Sequence, residues 1–211
     1  MSINEIPEFN EIISLLKQQK RDIAATKRRL KKLTKKFIFI ERIFELGSHD
    51  TYLEKQITEL FKAIGYENVK HITYPKDMPD IEIMLSDRLT CIEVKSSKKP
   101  HEQENEILQV HKYKVRRQDD LPNLKVAGIL IFNNDNKNLN PKLRDKRPFD
   151  DKRERDAILN GYSLISTTEL INGFILLKKK EVSFEEFDKI IHKTGIVKFS
   201  KKNIDKVLSE E

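Results

Sequence analysis

The chain has 211 residues, with 41 Lys and Arg against 34 Asp and Glu, a formal net charge of +7 and an isoelectric point near 9.3. Its single cysteine, Cys91, excludes an internal disulfide, its five scattered histidines offer no zinc-type cluster, and no apolar run reaches the roughly 18–20 residues that span a bilayer. A cytoplasmic protein with no membrane partner is expected, and the basic excess suits a polyanion.

Residues 9–45 contain no Gly or Pro and read as one long helix. Leu16, Ile23, Leu30 and Phe37 recur every seven residues, beside a second row of Ile12, Gln19, Thr26, Leu33 and Ile40. Lys17 to Lys36 holds ten basic residues and one acid, Asp22. Three readings stay open for this helix: a nucleic-acid contact, a coiled-coil dimer or partner-protein seam, and packing on its own domain with the lysines solvated. Gln19 and Thr26 weaken a tight seam. The N-terminal Met1-Ser2-Ile3-Asn4-Glu5 lacks the basic-then-apolar order of a signal peptide.

Gly47 to Thr51 breaks the helix, and Asp50 or Thr51 caps a second one running to Ile64. Its apolar face is Leu53, Ile57, Leu60, Phe61 and Ile64. Strands follow at Val69–Tyr74, Ile81–Leu85 and Leu89–Lys95, the last two joined by a short Ser86-Asp87-Arg88 turn. Glu102–Gln118 reads as a helix, with Ile107, Leu108, Val110 and Val115 on its apolar side. The apolar run Val126–Phe132 predicts a buried central strand. Residues 133–150 read as a long exposed loop whose basic side chains, Arg144 and Arg147 among them, are candidates for lining a nucleic-acid groove. A helix over Asp151–Asn160, a strand over Tyr162–Ser166 and a helix capped by Thr167 or Thr168 complete the core. Three regions result: a basic helix over 1–46, an α/β core over 47–180 with a mixed central sheet flanked by helices, and a helical basic extension over 181–211.

The chemistry concentrates in Pro79-Asp80 and Glu93-Val94-Lys95. Alternation sends Glu93 and Lys95 to one face of their strand while Ile92 and Val94 bury on the other. Hairpin pairing brings Asp80, at the start of the neighbouring strand, close to Glu93. Two close carboxylates repel, and a cation relieves the repulsion. Oxygen ligands suit Mg²⁺, with Mn²⁺ as the alternative, and the Val94 carbonyl is a further candidate ligand. Lys95 then orients or deprotonates a water, or stabilises charge on a phosphorane; the residues do not choose among these. Glu82 shares the parity of Asp80 and ranks below Glu93 as second acid.

Pro79-Asp80…Glu93-Val94-Lys95 resembles the PD-(D/E)XK nuclease superfamily, with its restriction-endonuclease-like fold. The resemblance covers about residues 50–178. It implies Glu54, on the helix before the sheet, as an accessory acid. Gln109-Val110-His111-Lys112-Tyr113 resembles the Gln-x-x-x-Tyr element of RecB-like nucleases and implies Gln109 and Tyr113 as supports for the phosphate backbone or the metal. The implied activity is metal-dependent hydrolysis of DNA, in repair or in defence against foreign DNA. The alternatives are an inactive nucleic-acid-binding module of the same fold and a coiled-coil interaction protein.

Overall fold

The computed structural model describes residues 7–45, 50–73, 78–99, 104–200 and 204–205. Residues 47–49 of the expected helix break, the end of the first strand at Tyr74, and the expected start of the next helix at Glu102 fall outside them. The chain divides into two compact units, Met1–Ile38 and Phe39–Glu211.

Helix α1 runs from Pro7 to Ile43. In the first unit its heptad row lies open: Ile12, Leu16, Ile23, Leu30 and Leu33 are all exposed, Leu30 by 64%. The second unit holds the last turn of α1, where Phe39 and Ile43 are buried and Phe39 meets Phe174 edge-on at 6.3 Å.

The second unit is built on a six-stranded sheet whose strands lie side by side in chain order. They are β1 (Val69–His71), β2 (Ile81–Met84), β3 (Arg88–Ser96), β4 (Lys125–Asn133), β5 (Tyr162–Ser166) and β6 (Gly195–Ile196). The first three are antiparallel neighbours, and β3 to β6 are parallel. Helices α2 (Asp50–Ile64), α3 (Glu104–Asp120), α4 (Asp151–Asn160), α5 (Thr167–Lys178) and α6 (Phe184–Ile191) cover it. Parallel strands need crossover helices, so the central strands are covered on both faces. Leu89 to Val94 of β3 are accordingly all buried, as is the apolar run of β4 from Ile129 to Phe132.

Register separates the two faces. Glu93 pairs with Leu130 and Lys95 with Phe132, so these four side chains share a face. Leu130, Phe132, Tyr162 and Leu164 form a core there with Val110 of α3 and Ala157 of α4. The opposite face carries Ile81, Ile83, Ile92 and Val94, on the side where Leu53, Ile57, Leu60 and Phe61 of α2 bury completely. Each such large side chain is worth about 1.5–3 kcal/mol of transfer free energy. Gly128 lets α3 approach β4: a Cβ there would stand 2.8 Å from Val110 Cγ1.

Several elements differ from expectation. Helix α3 buries Val110 and Tyr113 and leaves Leu108 and Val115 exposed. Positions 110, 113 and 117 form its inner row, at helical spacing, and Arg117 ends it by binding Glu82 at 2.7 Å. The cap of α5 is Ser166, the last residue of β5, whose side chain accepts from the Glu169 amide. The 133–150 stretch is not simply an exposed loop. Asn133, Asn134, Asp135 and Arg144 are buried in it, and Pro141–Leu143 forms a short 3₁₀ turn. The expected C-terminal extension contributes to the sheet unit, through α6, through β6 beside β5, and through buried Val197 and Phe199.

Candidate active site

The β2–β3 hairpin sets the local geometry. Its turn closes through the Leu85 amide on the Arg88 carbonyl at 2.8 Å, and its register places Ile81 against Ile92. Asp80 therefore precedes the first paired residue of β2. Its carbonyl accepts from the Ile72 amide at 2.8 Å, and its Oδ2 accepts from the Val94 amide at 2.7 Å. Asp80 is thus held at its backbone by Ile72 and at its carboxylate by Val94, beside buried Pro79.

Glu93 is 3% exposed. Lys95, two residues on and on the same face, holds its Nζ 2.5 Å from Glu93 Oε1. Glu93 Oε2 is buried with no hydrogen-bond partner. Asp80 lies close enough to Glu93 to feel its charge. Burial pushes Asp80 well above the usual carboxylate range, and the neighbouring Glu93 charge pushes it further. Burial likewise raises Glu93, against the pull of Lys95. Among the described residues Lys95 is the cation set against the Asp80 and Glu93 carboxylates. One negative charge remains to be balanced, by a proton or by a metal.

Glu54 reaches the same neighbourhood from α2 and adds its charge to both acids. It is buried, and its Oε2 lies 2.7 Å from His71 Nε2 on β1. His71 is a neighbour that the sequence pattern did not single out. It stands on β1 opposite Ile81, on the face that α2 covers, and no pattern in the sequence marks it. Glu82 is accounted for separately by Arg117, so it stands as half of an ion pair.

Gln109 is half-buried, and its Oε1 is buried without a partner. Tyr113 is buried on the inner row of α3. Arg147 is exposed, its amide bound to Asp145 Oδ1 at 2.7 Å. Arg144 departs from its expected role as an exposed groove residue. It is 4% exposed, its Nη1 donates to Asn133 Oδ1, its Nε donates to the Asn138 carbonyl at 2.9 Å, and its guanidinium lies 4.8 Å from the Phe44 ring centroid. Asn133 at the end of β4 supplies the acceptor that makes this burial tolerable.

Among the described residues no three His, Cys, Asp or Glu side chains form a complete cation cage. The donors still fit Mg²⁺, which keeps several waters and commonly takes only one or two carboxylates. The orphaned Glu93 Oε2 is an oxygen donor of the required hardness, next to the Asp80 carboxylate.

No protein-family model matches the sequence, and no curated protein matches it. Solved structures do. The restriction endonuclease FokI aligns with a TM-score of 0.53 at 16% identity over 77% of this chain. The small subunit of the heterodimeric restriction endonuclease R.BspD6I aligns with a TM-score of 0.46 at 11% identity, over 74% of this chain and 94% of that subunit. The chain spans 31% of the FokI chain. Its fold is restriction-endonuclease-like, a mixed sheet flanked by helices. Among the described residues no helix is long and apolar enough to cross a membrane.

Proposed function

We propose that the chain is a metal-dependent deoxyribonuclease that hydrolyses DNA phosphodiester bonds, in repair or in defence against foreign DNA. The observation that carries this reading is the half-buried Asp80 beside the buried Glu93, with Lys95 Nζ 2.5 Å from Glu93 and one Glu93 carboxylate oxygen unpartnered. Asp80, Glu93 Oε2 and the Val94 carbonyl would hold Mg²⁺ or Mn²⁺. When bound, the cation supplies Lewis-acid neutralisation of the phosphate and acidifies its water. Lys95 places a positive charge where a phosphorane would develop one negative charge too many. The Val94 amide holds Asp80 in position, and His71 holds Glu54 as an accessory acid at the rim. Gln109 and Tyr113 support the site from α3, and Arg147 offers an exposed phosphate contact.

The test is cleavage of supercoiled and linear DNA with Mg²⁺, Mn²⁺ or EDTA. Lys95→Ala should lower the rate by about 10²-fold or more while DNA binding persists. A wild-type protein that cuts nothing with either metal, while still binding DNA, would replace this reading with a non-catalytic binding module. A second role rests on a different observation. The exposed heptad row of α1 fits a partner helix, either a second copy or another protein, and oligomeric state in solution tests it.

A further inference from the structure

Within the first unit the described residues form one helix, so its apolar stripe has no second element there to bury against. Ile12, Leu16, Ile23, Leu30 and Leu33 stand between 45% and 64% exposed. A helix draws most of its stability from packing such a face, and a contiguous exposed row of this kind marks an interaction surface. The residues in and beside the row decide what covers it.

Written as a heptad abcdefg, Leu16, Ile23 and Leu30 take position a, while Ile12, Gln19, Thr26 and Leu33 take position d. Every a from Leu16 to Phe37 is apolar, and the polar residues of the seam fall only at d. In a parallel pair in register, a meets a and d meets d. Gln19 then faces Gln19 and Thr26 faces Thr26, so each polar side chain has a polar partner across the seam. In an antiparallel pair d meets a, and both polar residues would lie against apolar side chains. A second copy of the chain supplies the two matching polar layers by itself.

The flanks agree. Parallel pairing sets each g against the e five residues further on in the second copy. Leu15 meets Lys20, Asp22 meets Lys27 and Arg29 meets Thr34. None of these pairs has like charges, and Asp22 with Lys27 is attractive on both sides of the two-fold axis. Flush antiparallel pairing instead sets Lys20 against Lys27 twice, which offsets its attraction of Asp22 for Arg29. Asp22 is exposed, its Oδ1 accepting from Gln18 at 3.0 Å in its own helix. Lys17, Arg21, Arg28, Lys31, Lys32 and Lys35 take b, c or f, so most of the basic excess points away from the seam.

We propose that α1 is a dimerisation element, pairing parallel and in register with α1 of a second copy. It rests on the helix-pairing role given above and names the occupant, and it stands apart from the nuclease reading because no cleavage is measured.

Sedimentation equilibrium of the full chain should show a reversible dimer. Asp22→Lys and Lys27→Glu each create two like-charged pairs across the seam, so each alone should weaken the dimer by about tenfold. Mixed in equal amounts, the two variants should recover the wild-type affinity to within about threefold, because each then meets the opposite charge. Gln19→Cys tests the register separately. In a glutathione redox buffer, parallel pairing brings the two thiols within disulfide reach and links the copies, whereas flush antiparallel pairing holds them about 16 Å apart along the axis. Wild type, whose Cys91 is buried, is the control. A chain that stays monomeric at the highest concentration overturns both this inference and the helix-pairing role. A dimer indifferent to both charge reversals, a mixture no tighter than the single variants, or a Gln19→Cys dimer that does not link overturns this inference alone and leaves the pairing role to another partner or orientation.

Discussion

Replacing Asp80 with asparagine should stabilise the metal-free protein while abolishing cleavage. Asn keeps an oxygen for the Val94 amide, bound at 2.7 Å in the native site, and offers an amide donor to Glu93. What it removes is one of two like charges. At about 4 Å and an effective dielectric of about 20, that repulsion is about 4 kcal/mol. Lys95 and the Val94 amide offset part of it. A net gain of about 1–3 kcal/mol is expected. For a unit of this size that is about 2–10 °C in Tm. The sign of the pH dependence follows from burial, which raises the folded-state pKa of Asp80 above its unfolded value. The folded state then binds the proton more tightly, so stability falls as pH rises from about 4 through the raised pKa. The asparagine advantage should be small near pH 5 and full near pH 8, about 1–3 kcal/mol. Circular-dichroism melting in EDTA across that range measures it. Mg²⁺ should raise Tm for the wild type at the upper end and not for Asp80→Asn. An asparagine variant no more stable than wild type near pH 8, or one whose gain is the same at all pH values, would refute the claim that charge repulsion is stored at this site.

Two further outcomes test other parts of the molecule. Asp188 accepts from Tyr66 at 2.6 Å and Arg88 at 2.5 Å and is flanked by His192; burial pushes its pKa up, but these partners hold it well below the carboxylate range. Its contribution is present above the usual carboxylate pKa and lost as pH falls below it, so Asp188→Asn should cost about 1–3 kcal/mol in neutral denaturant titrations and progressively less in acid. If the exposed row of α1 is a helix-pairing seam, Ile23→Lys with Leu30→Lys should convert an oligomer to monomer in sedimentation analysis. A wild type that is already monomeric at high concentration removes the seam.

What the sequence reveals about this site depends on how local the signal is. Asp80, Glu93 and Lys95 stand out because a hairpin and strand alternation suffice to place them. The pairing of Glu54 with His71 needs a helix and a strand brought together by tertiary packing, so no periodicity announces it. Arg144 looks like one more exposed cation in a basic stretch. Its burial depends on Asn133, Asn138 and Phe44, which are distant or featureless in the chain. Ser166 escapes notice as a cap because it is also the last residue of a strand, leaving no loop between β5 and α5. Strand β6 has two residues and sits among lysines and polar residues, too short for any pattern. Leu108 and Val115 mislead for the opposite reason. They are apolar, yet they lie off the row that Val110, Tyr113 and Arg117 define.

The strand order of the sheet bears on how the protein is made. Each strand lies beside the one translated just before it, so no strand has to be inserted between two that are already paired. After each strand the growing edge is the one that the next strand will cover, while the outer edge of β1 takes no further strand. The β2–β3 hairpin closes over a four-residue turn, so Asp80 and Glu93 meet through one of the most local pairings in the sheet. Their mutual repulsion therefore arises early and must be carried by the packing that α2, α3 and the later strands add around it.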